Sequence, residues 1–208
     1  MQAEILVHGN RYGTAQIIQY WNHLHGYNQL QSHIENESKE LKIQDHIFEH
    51  PEFFGHGWQP VAKNQSLQVV IQKLDEKIDR TQKELKKRAD LVLRQGNEIL
   101  VVEIMRPKLR ADRDHVLRTQ TYKAYLAGYL PTYRVRGLLI AEKSIDPGVL
   151  QMLSELPNIN IQFCSWDQFI EKSNPKFRCD VIWYIDNAVN KIAGLLPPAS
   201  DPSVSWEF

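Results

Sequence analysis

The chain has 208 residues, a length that suits one well-packed domain with terminal additions. Its 25 Lys+Arg balance 25 Asp+Glu, which excludes a global basic field for nucleic acid, so any such contact must use a local patch or a partner subunit. No run is apolar and long enough to span a membrane, no basic-then-apolar leader marks secretion, and Cys164 and Cys179 lack metal-ligand spacing, which together predict a cytoplasmic protein with reduced thiols.

Thr14 is placed to cap a first helix, with Ile17, Trp21 and Leu24 at helical spacing. The polar stretch from about Gln29 to Asn36 carries no clear pattern. A second helix is predicted from about Glu37 to His50, stopping before Pro51, with Ile43 and Ile47 one turn apart and Glu40 close to their stripe. Gly55-His56-Gly57 reads as a turn, and Leu67 to Ile71 as a short strand. The segment from Lys73 to Arg88 is the most charged and is expected to be a solvated helix or hairpin, with a DNA-facing role as the alternative.

A β-hairpin follows. Asp90 opens the apolar run ADLVL, Gln95-Gly96-Asn97 gives the turn signal, and Glu103 lies near the end of EILVVEIM. Beyond it come a helix from about Asp112 to Ala127, the strand VRGLLIA, and a helix opened by Asp146 and Pro147. The strand INIQFCSW and a short helix starting at Trp166 complete this part. A last helix from about Arg178 to Leu195 carries Ile182, Ile185, Val189 and Ile192 on one face beside Trp183. That stripe is more apolar than one core-facing side requires and predicts partial burial in a dimer or partner interface. The order predicts an α/β fold with a mixed sheet flanked by helices. Its core is residues 34–172, preceded by a helical extension over 1–33 and followed by a helix over 173–196 and a loose tail over 197–208.

The chemistry concentrates in the hairpin. An acid inside an apolar strand is costly to bury unless it is paired or bound to a cation. Asp90 and Glu103, on adjacent strands, can converge on one divalent ion. Mg²⁺ takes one or two carboxylates and completes its shell with water and phosphate oxygens, activating a water and offsetting charge on the phosphate. The plainer reading makes Asp90 a strand-entry acid paired with Arg88. Residues two apart in a strand share a face, so position 105 accompanies Glu103. Met105 stands there, and a thioether is a poor Mg²⁺ ligand. The nearby cations are Arg106 and Lys108.

The histidines are less informative. His46 and His50 are four apart, but no H-E-x-x-H accompanies them and Pro51 ends the helix. His23 and His25, two apart, do not converge on a helix. His115 follows the hairpin closely and is read as structural, with phosphate contact as the alternative. There is no G-x-x-x-x-G-K-[ST] and no G-x-S-x-G.

Asp90 followed by Glu103-Ile104-Met105-Arg106-Pro107 resembles the PD-(D/E)XK restriction-endonuclease-like superfamily. The E-x-K-R-P form of that strand is similar to Shedu-type defence nucleases, and the E-x-M-R-P form to domains that follow GHKL-type ATPase modules. The resemblance covers roughly residues 34 to 170. It implies a restriction-endonuclease-like mixed β-sheet and Mg²⁺- or Mn²⁺-dependent cleavage of DNA in a bacterial anti-phage defence or repair system. It implies that Glu40, Asp90 and Glu103 hold the metal, with Glu40 on the first helix. Gln120 and Tyr122, in RTQTYKAYL, resemble the family's Q-x-Y element. Gln120 would orient water or phosphate, while Tyr122, two positions on, is expected to pack. The family's lysine is absent at position 105, so Arg106 or Lys108 would supply its charge, with Lys108 counted among the catalytic residues. The second reading keeps the fold as a binding or assembly module, in a homo-oligomer or beside a partner ATPase, with Met105 marking lost catalysis. Met105→Lys should raise activity if position 105 faces the scissile phosphate, and do nothing in a pure assembly module.

Overall fold

The computed structural model describes residues 14–74, 83–143, 146–149, 151 and 161–175. The stripe at Ile182, Ile185, Val189 and Ile192, together with Trp183, Cys179 and the tail 197–208, lies outside the described residues.

The first helix, α1 (Thr14–Glu35), runs on through the stretch that carried no clear pattern. Helix α2 (Glu40–Glu49) stops before Pro51 as its sequence dictates, and a 3-10 turn (Pro51–Phe54) follows. Strand β1 (Gln59–Ser66) comes next. The segment predicted as a strand over Leu67–Ile71 is instead helix α3 (Leu67–Leu74). Short apolar runs do not distinguish the two states, and here burial decides: Leu67, Val70 and Ile71 fall at helical spacing against the sheet. Strands β2 (Arg88–Gln95) and β3 (Glu98–Ile104) form the predicted hairpin about Gly96, whose φ of 56° suits glycine. Helix α4 (Arg113–Tyr129) is capped by Asp112, whose side chain accepts from the His115 N–H. Strand β4 (Arg134–Ala141), strand β5 (Ile161–Ser165) and helix α5 (Trp166–Ser173) follow. Ser165 and Gln168 close a capping box at the start of α5.

The sheet has five strands in the order β1-β2-β3-β4-β5. The pairs β1–β2 and β2–β3 are antiparallel, while β3–β4 and β4–β5 are parallel. The fold is therefore α/β with a mixed sheet flanked by helices. Alternate residues face opposite layers. Leu91, Leu93, Leu100, Val102, Ile104, Leu138 and Ile140 pack with Leu30 of α1, Ile43 and Ile47 of α2, and Trp166 and Phe169 of α5. On the other face, Val92, Ile99, Val101 and Val135 pack with Val70 and Ile71 of α3 and Tyr122 and Leu126 of α4. Met105, Leu139, Ala141 and Ile161 join Val116 of α4 in a third cluster on that side. Tyr27 and Leu30 place α1 in the same core as residues 34–172, and the expected boundary at 33/34 falls inside that helix.

Two glycines permit close approaches. A Cβ on Gly26 would lie 2.5 Å from the His50 ring, so α1 and the end of α2 meet there only because no side chain intervenes. A Cβ on Gly137 would meet Thr119 and Ile161 at 3.2 Å, which lets α4 lie close over β4.

Candidate active site

The register of β2 on β3 pairs Leu91 with Val102. One step further sets Asp90 opposite Glu103, on the face that carries Val92 and Val101 and that α4 covers. The two acids thus come from adjacent strands at the end of β3 from which the chain passes to α4. Asp90 is held by an accepted hydrogen bond, Ile104 N–H to Oδ2 at 2.8 Å. Glu103 is 2 % exposed. One of its oxygens, Oε1, is ion-paired with Nη2 of Arg118. The other, Oε2, is buried and has no hydrogen-bond partner among the described residues. A buried carboxylate oxygen without a donor is costly, and either a bound proton or a cation relieves it.

Burial pushes both carboxyls upward from their ordinary range. Asp90 rises to about 6, mainly through desolvation; the Ile104 N–H and the charges of Arg118 and His115 oppose the rise, and Glu40 adds to it. Glu103 rises to about 8 through desolvation, then the charge of Asp90, with Glu40 adding a smaller push. The Arg118 ion pair on its own would keep Glu103 ionised, but burial and the neighbouring acid outweigh it. The two acids titrate as a pair that retains a proton near neutrality. Glu40, at the start of α2, is therefore electrostatically joined to both. Gln44 fixes it, donating to Oε1 at 3.1 Å, and Asn64 of β1 donates to Gln44 at 2.7 Å.

Helix α4 supplies the opposite wall. His115, Arg118 and Tyr122 recur at helical spacing on one face, and each enters the electrostatics of the acid pair. Tyr122 packs, as its sequence position suggested, being 4 % exposed within the cluster shared by α3 and α4. Its hydroxyl is nonetheless pushed up to about 12, by burial first and then by the charge of Glu103. Gln120 lies two positions from both Arg118 and Tyr122, hence off their face, and its Oε1 is buried without a hydrogen-bond partner among the described residues.

The other expected residues go elsewhere. Lys108, with φ at 67°, is ion-paired with Glu37 in the turn between α1 and α2, and it does not figure among the charges that move Asp90 or Glu103. The cation on the acid pair is Arg118, which sequence reasoning passed over within RTQTYKAYL. Its signal was the spacing of His115, Arg118 and Tyr122, visible only when the helix face toward Glu103 is known. Met105 is 7 % exposed and packs among Ala111, Val116, Leu139 and Ala141. His46 Nε2 bonds the Gly26 carbonyl at 2.7 Å and His50 Nδ1 lies 2.8 Å from Glu52.

No group of three or more His, Cys, Asp or Glu side chains among the described residues is arranged to hold a metal ion. The expected set of Glu40, Asp90 and Glu103 is thus not found as a three-residue ligand group, and Asp90 and Glu103 are left as two carboxylates, a donor number that Mg²⁺ or Mn²⁺ takes with water completing the shell. Among the described residues no helix is long and apolar enough to cross a membrane. No family model, curated protein or solved structure matches the chain.

Proposed function

We propose that this protein cleaves phosphodiester bonds in DNA with Mg²⁺ or Mn²⁺, on a restriction-endonuclease-like core. The observation that carries this reading is the half-buried Asp90 set beside the buried Glu103 on adjacent strands, with Oε2 of Glu103 unsatisfied among the described residues. A hairpin bearing the acids, then a helix and a parallel strand, agrees with the order the resemblance implies.

When bound, the ion supplies Lewis acidity and a water of lowered pKa. The chain's own residues do the rest. Asp90, fixed by the Ile104 N–H, and Glu103 would hold the ion as carboxylates, giving up to solvent the proton they otherwise share. Glu40, braced by Gln44, adds negative charge beside them. Tyr122 keeps its proton at any ordinary pH and presents a hydroxyl donor. Arg106 and Arg110, in the segment between β3 and α4, and Arg113, at the first position of α4, are exposed and make no ion pair among the described residues. The Lys108–Glu37 pair ties that segment to the turn between α1 and α2. On this reading the exposed cations of this region contact the phosphate backbone, which the balanced net charge does not preclude.

The test is cleavage of plasmid and short duplex DNA with Mg²⁺ or Mn²⁺ by the parent protein, Asp90→Asn and Glu103→Gln. Cutting by the parent alone supports the reading, and equal cutting by either variant sinks it. A second reading, an assembly module for another copy or an ATPase partner, is favoured by one observation: Met105 lies in an apolar cluster where the resemblance implies lysine. A parent that cuts under no condition, yet co-purifies with a partner, supports that reading instead.

A further inference from the structure

Arg118 stands on the carboxylate that a divalent ion would have to use. Its side chain is 46 % exposed while that of Glu103 is 3 % exposed, so the guanidinium reaches inward from solvent onto a buried acid. Arg106 is exposed and outside any ion pair among the described residues, while the other two candidate positions are engaged. Lys108 is held by Glu37, and position 105 carries an apolar side chain packed on α4. A guanidinium and a divalent ion cannot share one buried oxygen pair without strong repulsion. A guanidinium also presents a planar fork that matches phosphate oxygens, and the half-exposed Arg118 side chain is accessible to a phosphate arriving from solvent.

We propose that Arg118 is a phosphate-binding latch: it neutralises Glu103 in the cation-free protein, and moves onto a non-bridging oxygen of the substrate phosphate when a divalent ion takes over the acid pair. This deepens the nuclease reading and rests on it. Arg118 then supplies, from α4, the positive charge that position 105 lacks. Metal and phosphate binding become coupled, because the ion releases the very group that holds the phosphate, and the coupling is reciprocal.

The full chain is tested as the parent, Arg118→Gln and Arg118→Lys. Mn²⁺ affinity is measured alone by electron paramagnetic resonance, DNA cutting in a separate assay, and folding by thermal melts. A guanidinium repels a divalent ion about twice as strongly as it repels a proton at the same oxygen, so its loss favours Mn²⁺ over the competing proton. Arg118→Gln should bind Mn²⁺ about tenfold or more tightly than the parent, yet cut about 100-fold or more slowly, the usual loss for one transition-state donor. A merely structural arginine would not move these two readouts in opposite directions. A parent that neither binds Mn²⁺ nor cuts sinks the nuclease reading and the latch together. A parent that cuts, with Arg118→Gln cutting as fast or binding Mn²⁺ more weakly, overturns the latch alone. If Arg118→Gln does not fold, Arg118→Lys decides: cutting about tenfold slower at unchanged Mn²⁺ affinity supports the latch, since a point charge lacks the fork, and an unchanged rate overturns it.

Discussion

The side chain of Asp90 is bonded to the backbone of Ile104, with 2.8 Å between Oδ2 and the amide nitrogen. One acid is thereby locked to the strand that carries the other. The position of Asp90 depends on that strand's backbone and not on a neighbouring rotamer, so the acids keep their relation even if α4 shifts.

Removing either charge while keeping the shape should separate chemistry from folding. Asp90→Asn retains an acceptor for the Ile104 N–H, and Glu103→Gln retains the volume of a nearly sealed site. Both should bring metal-dependent DNA cutting below detection and leave the melting temperature within a few degrees of the parent or above it. Chelation of the metal should have the same effect on the parent. Cutting that survives chelation would place the activity elsewhere.

The acid pair should also set a pH dependence of stability. In the folded protein Asp90 rises from 3.8 to about 6 and Glu103 from 4.5 to about 8. The folded state therefore binds protons that the unfolded chain releases between about pH 4 and pH 8, so stability falls as pH rises through that window. In urea unfolding with chelator present, the parent should lose roughly 2 kcal/mol or more between pH 5 and pH 8.5. Glu103→Gln should flatten that slope, and Mg²⁺ should restore stability at the alkaline end. A parent whose stability climbs over this range would contradict the burial argument.

Gly26→Ala should destabilise the protein although alanine is the better helix former. The helical gain is about 1 kcal/mol, but the added methyl meets the His50 ring at 2.5 Å. The ring is confined by stacking on Phe53 and by Glu52, so the helices must part, at a cost of roughly 1–3 kcal/mol. The double variant with His50→Ala should recover much of the melting temperature lost by Gly26→Ala. Additive losses would show that the contact is not the cause.

Met105→Lys is expected to disappoint as a repair of the motif. The side chain at 105 packs with Ala111, Val116, Leu139 and Ala141, and an ammonium there loses water without gaining a partner. A loss of roughly 2–4 kcal/mol should appear in chemical denaturation, with no gain in cutting. A stable variant that cuts faster than the parent would mean that the side chain can turn toward the acids.

Much of this architecture was legible without coordinates. The hairpin was readable because apolar alternation and a glycine turn are local signals, and the two acids stood out because strand interiors rarely carry charge. The stop before Pro51 is local as well. Tertiary contacts decided the rest. Leu67–Leu74 became a helix because its apolar residues fit the sheet at helical spacing, a choice that eight residues cannot make alone. Lys108 was drawn to Glu37, 71 residues away in sequence, and the place beside Glu103 went to Arg118. Sequence fixes which groups can ionise. Only the fold fixes which of them share a desolvated space, because burial and distance across the sheet, unlike spacing along the chain, set the energy between charges.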